Sequence, residues 1–251
     1  MAEPHTLNQS TIFVTATDTG AGKTAVTALL LRRLLAGGID ACALKPVASG
    51  LDAHGANEDI AALLAAAGRP ATDSGIGADA INLYRFALPA APSLAAAAEG
   101  QAIDPAHLAA WCRERSRGRR VCLIEGVGGL MVPLTPDFLV RDWLAAMPGA
   151  KTLLVVPARL GAINHALLTL AELARIGRVP RWLVINDVAG GGKKMAAQIA
   201  EALIPHLAPA TRLLMLDHLD AGSMDGPAGR DFAAAWLDSL AAEGPGTEVC
   251  A

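Results

Sequence analysis

A lysine and a threonine stand next to each other in a loop of small residues near the start of the chain. The loop ATDTGAGKT, residues 16–24, follows an apolar run at 12–14 and leads into a second apolar stretch at 26–31. A strand, a loop and a helix start in this order place backbone N–H groups around a polyphosphate. Lys23 would contact the β- and γ-phosphates, and the hydroxyl of Thr24 would bind Mg²⁺. The pattern therefore predicts a site for a nucleoside triphosphate.

This loop departs from the usual phosphate-binding pattern, in which four residues separate the first glycine from Gly-Lys-Thr. At that spacing the chain has Thr17, and Ala16 precedes it. The loop is therefore lengthened and poor in glycine. The alternative interpretation, a chance Gly-Lys-Thr at a helix start, is disfavoured by the strand and helix patterns on either side.

Further polar residues that suit phosphate chemistry follow later apolar runs. Lys45 and Ser49 lie in KPVASG, Asp59 ends NED before an apolar helix, and Glu125 opens EGVGG. A carboxylate at the tip of a buried strand, as at Glu125, is where phosphate-binding proteins place a Mg²⁺ ligand. Plainer interpretations are a surface lysine, an incidental acid in a turn and, for Asp59, a helix-start acid. Beside a phosphate-binding loop, Asp59 also becomes a candidate metal ligand.

Two more motifs follow the later strands. LGAINH at 160–165 opens a helix, and the free N–H groups of a helix start bind anions. For His165 a polar helix residue is favoured over a catalytic group. Asn186 and Asp187 end another apolar run, where an amide would read a purine edge, with a simple turn as the alternative.

The composition limits the class of protein. The chain has 251 residues, of which 53% are apolar and 4% aromatic, enough for one large α/β domain with an aliphatic core. A net charge of −3 gives no support for nucleic acid or an anionic membrane as a partner. The four cysteines lack metal-binding spacing, and neither a signal peptide nor a membrane-spanning run is found. We therefore expect a soluble, cytoplasmic protein with reduced, mostly buried thiols.

Short apolar runs alternate with helical patterns along the chain. The runs predict strands at 11–15, 41–46, 121–125, 152–156, 182–185 and 212–216. The helical patterns predict helices at 23–35, 58–67, 105–117, 138–147, 162–176, 193–206 and 230–241. This alternation predicts a parallel sheet with helices on both faces and ligands at the carboxyl ends of the strands. We expect one domain over 1–251, a loop and short helix at 88–98, and flexible ends at 1–10 and 243–251.

Taken in order, these motifs resemble those of the dethiobiotin synthetase family. ATDTGAGKT, KPVASG, NED, EGVGGLMVPL, LGAINHALLT and the later Asn-Asp pair carry the resemblance, over residues 12–187. The resemblance implies a P-loop NTPase-like three-layer α/β sandwich. It also implies the penultimate step of biotin synthesis, in which ATP and Mg²⁺ drive ring closure of 7,8-diaminononanoate with CO2. The products would be dethiobiotin, ADP and phosphate, formed through a carbamate and a carbamic-phosphoric anhydride.

The resemblance also assigns residues, position by position. It implies Lys23 and Lys45 as catalytic residues, and Thr24, Asp59 and Glu125 as Mg²⁺ ligands. The residues implied to bind the nucleotide are Gly20, Ala21, Gly22, Lys23, Thr24, Ala25, Asp59, Glu125, Gly126, Val127, Gly128, Asn186 and Asp187. Those implied to bind the diamine are Thr19, Lys45, Ser49, Gly161, Ala162, Ile163 and Asn164. The last four would meet the substrate carboxylate from the partner subunit of a homodimer.

The chain departs from the family pattern at two positions of the loop. Gly20 stands where the family often has an acid, and Ala16 replaces a glycine.

Two other protein classes are alternatives. A partitioning-type ATPase carries a second lysine where this chain has Asp18, and it would need a basic patch or amphipathic tail. The synthetase half of a glutamine-dependent amidotransferase of corrinoid synthesis would need a glutaminase domain, for which we expect the chain to be too short. A catalytically inactive relative is a further alternative, although every candidate reactive residue is present.

Overall fold

The computed structural model describes residues 9–69, 77–190, 192–219 and 224–242. Its strands are β1 Ser10–Ala16, β2 Ala41–Leu44, β3 Val47–Ser49, β4 Tyr84–Phe86, β5 Val121–Glu125, β6 Lys151–Pro157, β7 Trp182–Asn186 and β8 Arg212–Leu216. Its α-helices are α1 Lys23–Ala36, α2 Glu58–Ala66, α3 Ala78–Ile81, α4 Pro92–Ala98, α5 Pro105–Ser116, α6 Val140–Ala145, α7 Ala162–Arg175, α8 Lys193–Leu203 and α9 Pro227–Ala241.

The main sheet has six parallel strands in the order β2-β5-β1-β6-β7-β8. β1 lies in the interior of the sheet, and Val14 near its end is in register with Glu125 at the end of β5. The last pair between β2 and β5 is Leu44 with Ile124, so Lys45 leaves the sheet beside Glu125. The carboxyl ends of three adjacent strands therefore bring the predicted reactive residues to one edge.

Helices cover both faces of this sheet. Alternate residues of each strand point to opposite sides, and because both sets are apolar, both faces must be buried. Phe13 and Ile124 face a core that includes Trp143 of α6 and side chains of α5, α7 and α8. Ile12 and neighbouring side chains face a second core with residues of α1, α2 and α9. These two cores and the parallel sheet confirm the predicted three-layer α/β fold.

A second, two-stranded sheet is the main feature that the sequence did not predict. The predicted strand 41–46 ends at Leu44, and β3 then pairs in parallel with β4. Proline has no N–H to donate to a ladder, so the main sheet cannot continue through Pro46. Instead the carbonyl oxygen of Pro46 accepts from the N–H groups of Leu83 and Tyr84, at 3.0 and 2.8 Å. This crossing places β3, and Ser49 with it, above the edge of the main sheet.

The remaining differences are at element ends. The predicted helix 193–206 becomes α8 followed by a 3₁₀ turn at Ile204–His206, where Pro205 interrupts the α-helical bonds. The short helix expected within 88–98 is α4. The expected flexible start, 1–10, overlaps β1, which begins at buried Ser10; residues 1–8 and the expected flexible end lie outside the described residues.

Three of the cysteines and the lengths of the helices can be described directly. Cys112 and Cys122 are buried and Cys42 is partly buried, all three as free thiols, while Cys250 lies outside the described residues. Over the part of the chain that the structure describes, no helix has the length and apolar character needed to cross a bilayer.

Candidate active site

The phosphate-binding loop, residues 16–24 and hereafter the P-loop, connects β1 to α1 as the sequence predicts. Gly22 is the N-cap of α1, with φ 86°, a left-handed conformation that glycine adopts without a Cβ clash. A Cβ at Gly22 would lie 2.1 Å from Nδ2 of Asn186, so any side chain there would displace that amide. The first N–H groups of a helix have no intrahelical partner and can bind phosphate.

Lys23 is the first residue of α1 and is almost fully buried. Its ammonium donates to the carbonyl oxygen of Gly128 at 2.7 Å, which ties the P-loop to the glycine-rich segment after β5. Burial, followed by repulsion from Lys45, lowers the pKa of Lys23 to about 8 despite the attraction of Glu125 and Asp59. An anionic ligand would therefore stabilise the charged form of Lys23.

Lys45 lies between two carboxylates from different elements. Its Nζ is 2.6 Å from Oε1 of Glu125, at the end of β5, and 2.7 Å from Oδ2 of Asp59, in the first turn of α2. Burial by itself would lower the pKa of Lys45, but attraction to the two carboxylates outweighs burial and raises that pKa. Lys45 is 3% exposed, so it is not the surface lysine of the plainer interpretation. It carries a positive charge that is itself almost entirely buried.

Asp59 faces this cluster and does not cap its helix. The N-cap of α2 is Asn57, whose side-chain oxygen accepts from the N–H of Ile60 at 3.2 Å. Burial raises the pKa of Asp59, but the neighbouring Lys45 ammonium lowers it more, and the net pKa is below the usual value. Asp59 is therefore ionised at neutral pH and available to a cation.

An oxygen cluster suited to a divalent cation lies beside Lys45. Oγ1 of Thr24 is 2.7 Å from both Oδ1 of Asp59 and Oε1 of Glu125, yet its single proton can be donated to only one of them. Oε2 of Glu125 is buried without a hydrogen-bond partner. Mg²⁺ prefers such oxygen ligands and usually takes one or two carboxylates, with phosphate and water completing its shell. The described residues contain no group of three or more His, Cys, Asp or Glu that would hold a metal.

These residues line one cleft of about 630 Å³. Its lining includes the P-loop and Glu125, which we call its floor, and Ser49 with the segment 89–92, which we call its wall. The hydroxyl of Ser49 donates to the carbonyl oxygen of Ala90 at 2.8 Å and so holds this wall to β3. Thr19 lines the same cleft. The cleft thus combines a charged floor with a wall that is largely apolar.

Asn186 and Asp187 are brought to the same edge of the sheet but bind to the protein itself. Nδ2 of buried Asn186 donates to the carbonyl oxygen of Ala21 at 3.0 Å, beneath the P-loop. The carboxylate of Asp187 accepts from the N–H groups of Gly190 and Gly192 at 3.0 and 2.7 Å. Both side chains therefore shape loops next to the cleft, and their nucleotide contacts stay predictions.

The four residues expected to receive a carboxylate lie at the start of α7, outside the cleft. Gly161, with φ 85°, is the N-cap, while Ile163 and Asn164 are exposed in the first turn. Leu160 before them is 90% exposed. Behind this turn, His165 lines a groove of about 470 Å³ that shares Thr19 with the cleft.

Comparison with known proteins identifies the family. A family model described as AAA domain matches residues 10–220. The ATP-dependent dethiobiotin synthetase BioD of Methylobacterium nodulans is 42% identical over 205 residues, and the match covers 78% of this chain and 89% of the relative. The chain belongs to the dethiobiotin synthetase family. The ATP-dependent dethiobiotin synthetase BioD of Acidiphilium cryptum is 40% identical over 181 residues, 71% of this chain and 80% of the relative.

Membership of the dethiobiotin synthetase family confirms the class of enzyme, an ATP-dependent ligase, that the motifs predict. It disfavours the partitioning ATPase and the amidotransferase as alternatives. Among solved structures, the hydrogenase maturation factor HypB from Archaeoglobus fulgidus is similar, with a TM-score of 0.51 and 16% identity, covering 92% of this chain and 90% of that one. At this identity the similarity concerns the fold alone, which it supports.

Two parts of the site were not found from the sequence. The wall at 89–92 was expected only as part of a loop and short helix at 88–98, because Pro89 and Pro92 indicate a loop and not what the loop faces. Arg159, which forms an ion pair with Asp18 of the P-loop, precedes the LGAINH motif and carried no pattern of its own. This pair joins the P-loop to the segment that leads into α7.

Proposed function

We propose that the protein closes the ureido ring of dethiobiotin from 7,8-diaminononanoate, CO2 and ATP, releasing ADP and phosphate, in the cytoplasm. One observation carries the proposal: Lys23 of the P-loop shares a single cleft with a second buried lysine, Lys45, and with two carboxylates. These four side chains offer cations and carboxylates, and neither a hydroxyl nor a thiol is among them. Such a site suits phosphoryl transfer between bound substrates, where positioning and charge neutralisation supply most of the catalysis.

The reaction needs three bond-forming steps. One amine attacks CO2, loses a proton and becomes a carbamate. A carbamate oxygen then attacks the γ-phosphorus of ATP, and the bond to ADP breaks. The second amine attacks the carbonyl carbon of the resulting anhydride, the bond to phosphate breaks, and the amine proton is lost as the ring closes. Negative charge develops on phosphoryl oxygens in the last two steps, and cations held in a dry cleft stabilise it.

In this proposal Lys23 and Lys45 stabilise the developing charge from two sides. Lys23 lies at the helix start that holds the phosphates, so its ammonium meets the β- and γ-phosphates. Lys45 enters the same cleft from the end of β2 and would orient the carbamate against the γ-phosphoryl group. Ser49 and Thr19 line the space beside both lysines and would bind the amine end.

The oxygen cluster of Thr24, Asp59 and Glu125 would hold Mg²⁺ with the nucleotide. The metal, when bound, neutralises charge on the β- and γ-phosphates. Glu125 Oε2 would gain the partner that it lacks, and the Thr24 hydroxyl would lose its competing contact. The N–H groups of residues 20–25 and of 126–128 would contact the phosphates, and the Asn186 amide oxygen would accept from the adenine amino group.

The carboxylate end of the diamine is proposed to bind a second subunit. The amines occupy one cleft, and the alkyl chain places the carboxylate outside it. The helix start at 161–164 offers N–H donors and a favourable dipole for an anion. Exposed Leu160 and Ile163 beside it would pack against the partner of a homodimer.

The activity is tested by measuring ADP release with diamine and bicarbonate together and with each omitted, and by identifying dethiobiotin by mass spectrometry. ATP turnover should be appreciable only with both co-substrates. Diamine-independent turnover that DNA or lipid stimulates would contradict the proposal and favour a partitioning-type ATPase.

The shared site is tested with Asn164→Asp, which adds a negative charge without changing side-chain shape. We expect weaker diamine binding with near-normal nucleotide binding, and no loss of stability, because an acid near a helix start is favourable. Mixing this variant with Lys23→Ala should restore activity, since one of the two sites in each mixed dimer would be intact. A fully active monomer would rule out the shared site.

A further inference from the structure

Asn82 is a buried amide that lies outside every motif and outside the cleft lining. It follows directly after α3 and is that helix's C-cap. Its Nδ2 donates to the backbone carbonyl oxygen of Lys45 at 2.7 Å and to that of Tyr84 at 3.1 Å. A single amide group therefore joins the backbone of a proposed catalytic residue to β4.

The same segment also holds the other side of the Lys45 peptide. The N–H of Lys45 donates to the carbonyl oxygen of Ile81 at 2.8 Å, and Pro46 accepts from Leu83 and Tyr84. We call this set of hydrogen bonds between 45–46 and 81–84 the Lys45 clamp. Among the described residues, Asn82 supplies the side-chain hydrogen bond of this clamp, and the other bonds in it join backbone to backbone.

The clamp holds the backbone of Lys45 at a point where the hydrogen bonds of the main sheet have ended. Pairing between β2 and β5 ends at Leu44, and Pro46 cannot donate a hydrogen bond, so the main sheet does not hold this residue. Its ammonium must nevertheless stay within 2.6 and 2.7 Å of two carboxylates. A shift of about 1 Å in a catalytic group can cost roughly 100-fold in rate.

We propose that Asn82 is a positioning residue that fixes the backbone of Lys45, so that the Lys45 ammonium stays aimed at the reacting phosphoryl group. The inference rests on the proposed role of Lys45. The inference predicts that loss of Asn82 affects Lys45 but not Lys23. Lys23 is held by α1 and Gly128, so the nucleotide phosphates stay bound as before.

The first test compares Asn82→Ala with Thr211→Val. Thr211 also bonds a backbone carbonyl, that of Pro180 at 2.7 Å, but precedes β8 at the opposite end of the sheet. Both variants should lose stability. Asn82→Ala should lower kcat roughly tenfold or more with KM for ATP nearly unchanged. Thr211→Val should keep both constants. Equal kcat in the two variants would overturn the inference.

A double-mutant cycle tests whether Asn82 acts through Lys45. In the Lys45→Ala background, Asn82→Ala should cause no further loss of single-turnover rate, because nothing remains to be positioned. A full additional tenfold loss would show that Asn82 acts elsewhere. Asn82→Asp gives a graded control: its carboxyl can donate to the Lys45 carbonyl only when protonated, so its rate relative to wild type should rise at acidic pH.

Crystal structures of wild type and Asn82→Ala test the clamp without an activity measurement, because they show the position of the Lys45 ammonium. In Asn82→Ala the Lys45 ammonium should move away from Asp59 and Glu125 while Lys23 stays in place. An unmoved Lys45 would overturn the inference. Failure of the wild type to release ADP with diamine and bicarbonate would instead contradict the proposed function, so the two failures are distinguishable.

Discussion

Polar side chains end strands in both halves of the main sheet, but they are bound differently. In the half formed by β2, β5 and β1, Lys45 and Glu125 are held by other charged side chains, and one Glu125 oxygen has no partner. In the β7 half, Asp187 is satisfied by two backbone N–H groups and Asn186 by a backbone carbonyl. A buried polar group without a partner costs free energy until a ligand supplies one. The first half therefore leaves an acceptor open to a ligand, whereas the polar groups of the second half are bonded to loop backbone.

The largest effect expected from this comparison is at the two lysines. Lys23→Ala and Lys45→Ala should each lower kcat by roughly 100-fold or more, because each removes a cation from a dry site. Lys194→Ala, an exposed lysine in α8, is the control and should retain normal turnover. Steady-state ADP release measures all three. Near-normal turnover by Lys45→Ala would remove Lys45 from the catalytic assignment.

The next effect concerns the metal. Asp59→Asn should raise the Mg²⁺ concentration needed for half-maximal activity by roughly tenfold or more, with the fold intact. Glu58→Gln removes a neighbouring exposed acid from the same helix turn and should leave the Mg²⁺ dependence unchanged. An identical Mg²⁺ titration for both variants would return Asp59 to the role of a helix-start acid.

A pH effect should follow from Lys23. Its pKa in the folded protein is about 8, below its usual value, so the free enzyme loses this charge above pH 8. ATP favours the charged form, and binding above pH 8 should therefore take up a proton. Affinity should fall roughly fivefold between pH 8 and 9, as the charged fraction of Lys23 falls from about one half to about one tenth. Calorimetry in buffers of different ionisation enthalpy would measure the uptake, and its persistence in Lys23→Ala would assign it to another group.

The same shift has a consequence for folding. Between pH 8 and the usual lysine pKa the unfolded chain binds more protons than the folded one. Stability contributed by this group therefore rises with pH across that window, opposite to the trend in ATP affinity. Denaturant midpoints measured across this window should rise with pH more in wild type than in Lys23→Ala, because only wild type has a buried ammonium to neutralise.

The smallest effect on kcat is expected in the β7 half of the main sheet. Asp187→Ala leaves two N–H groups without their acceptor and should destabilise the fold by about 1–3 kcal/mol, with kcat within about twofold of wild type. Asp217→Ala, which breaks an exposed ion pair with Lys193, should cost less than about 1 kcal/mol. A large fall in kcat for Asp187→Ala at unchanged stability would show that this carboxylate serves the ligand.

Much of the fold was predictable because its signals are local. Apolar runs predicted all six strands of the main sheet, and their alternation with helices predicted that the strands are parallel, but not their order. The strand pair β3 and β4 was not found, since three-residue strands such as Val47–Ser49 are too short to show a period. Pro46 gave the position where the predicted strand had to end, but not what replaced it.

The sequence by itself determined which side chains reach the ligand edge, because parallel strands all end there and each candidate follows a strand or opens a helix. Only the tertiary structure decided which of them face a ligand. Lys45 and Glu125 are 80 residues apart and Asn82 and Lys45 are 37 apart, so no local pattern records these contacts. Asp187 and Glu125 carry the same signal in the sequence. They differ because backbone N–H groups surround one carboxylate and a lysine and a threonine surround the other.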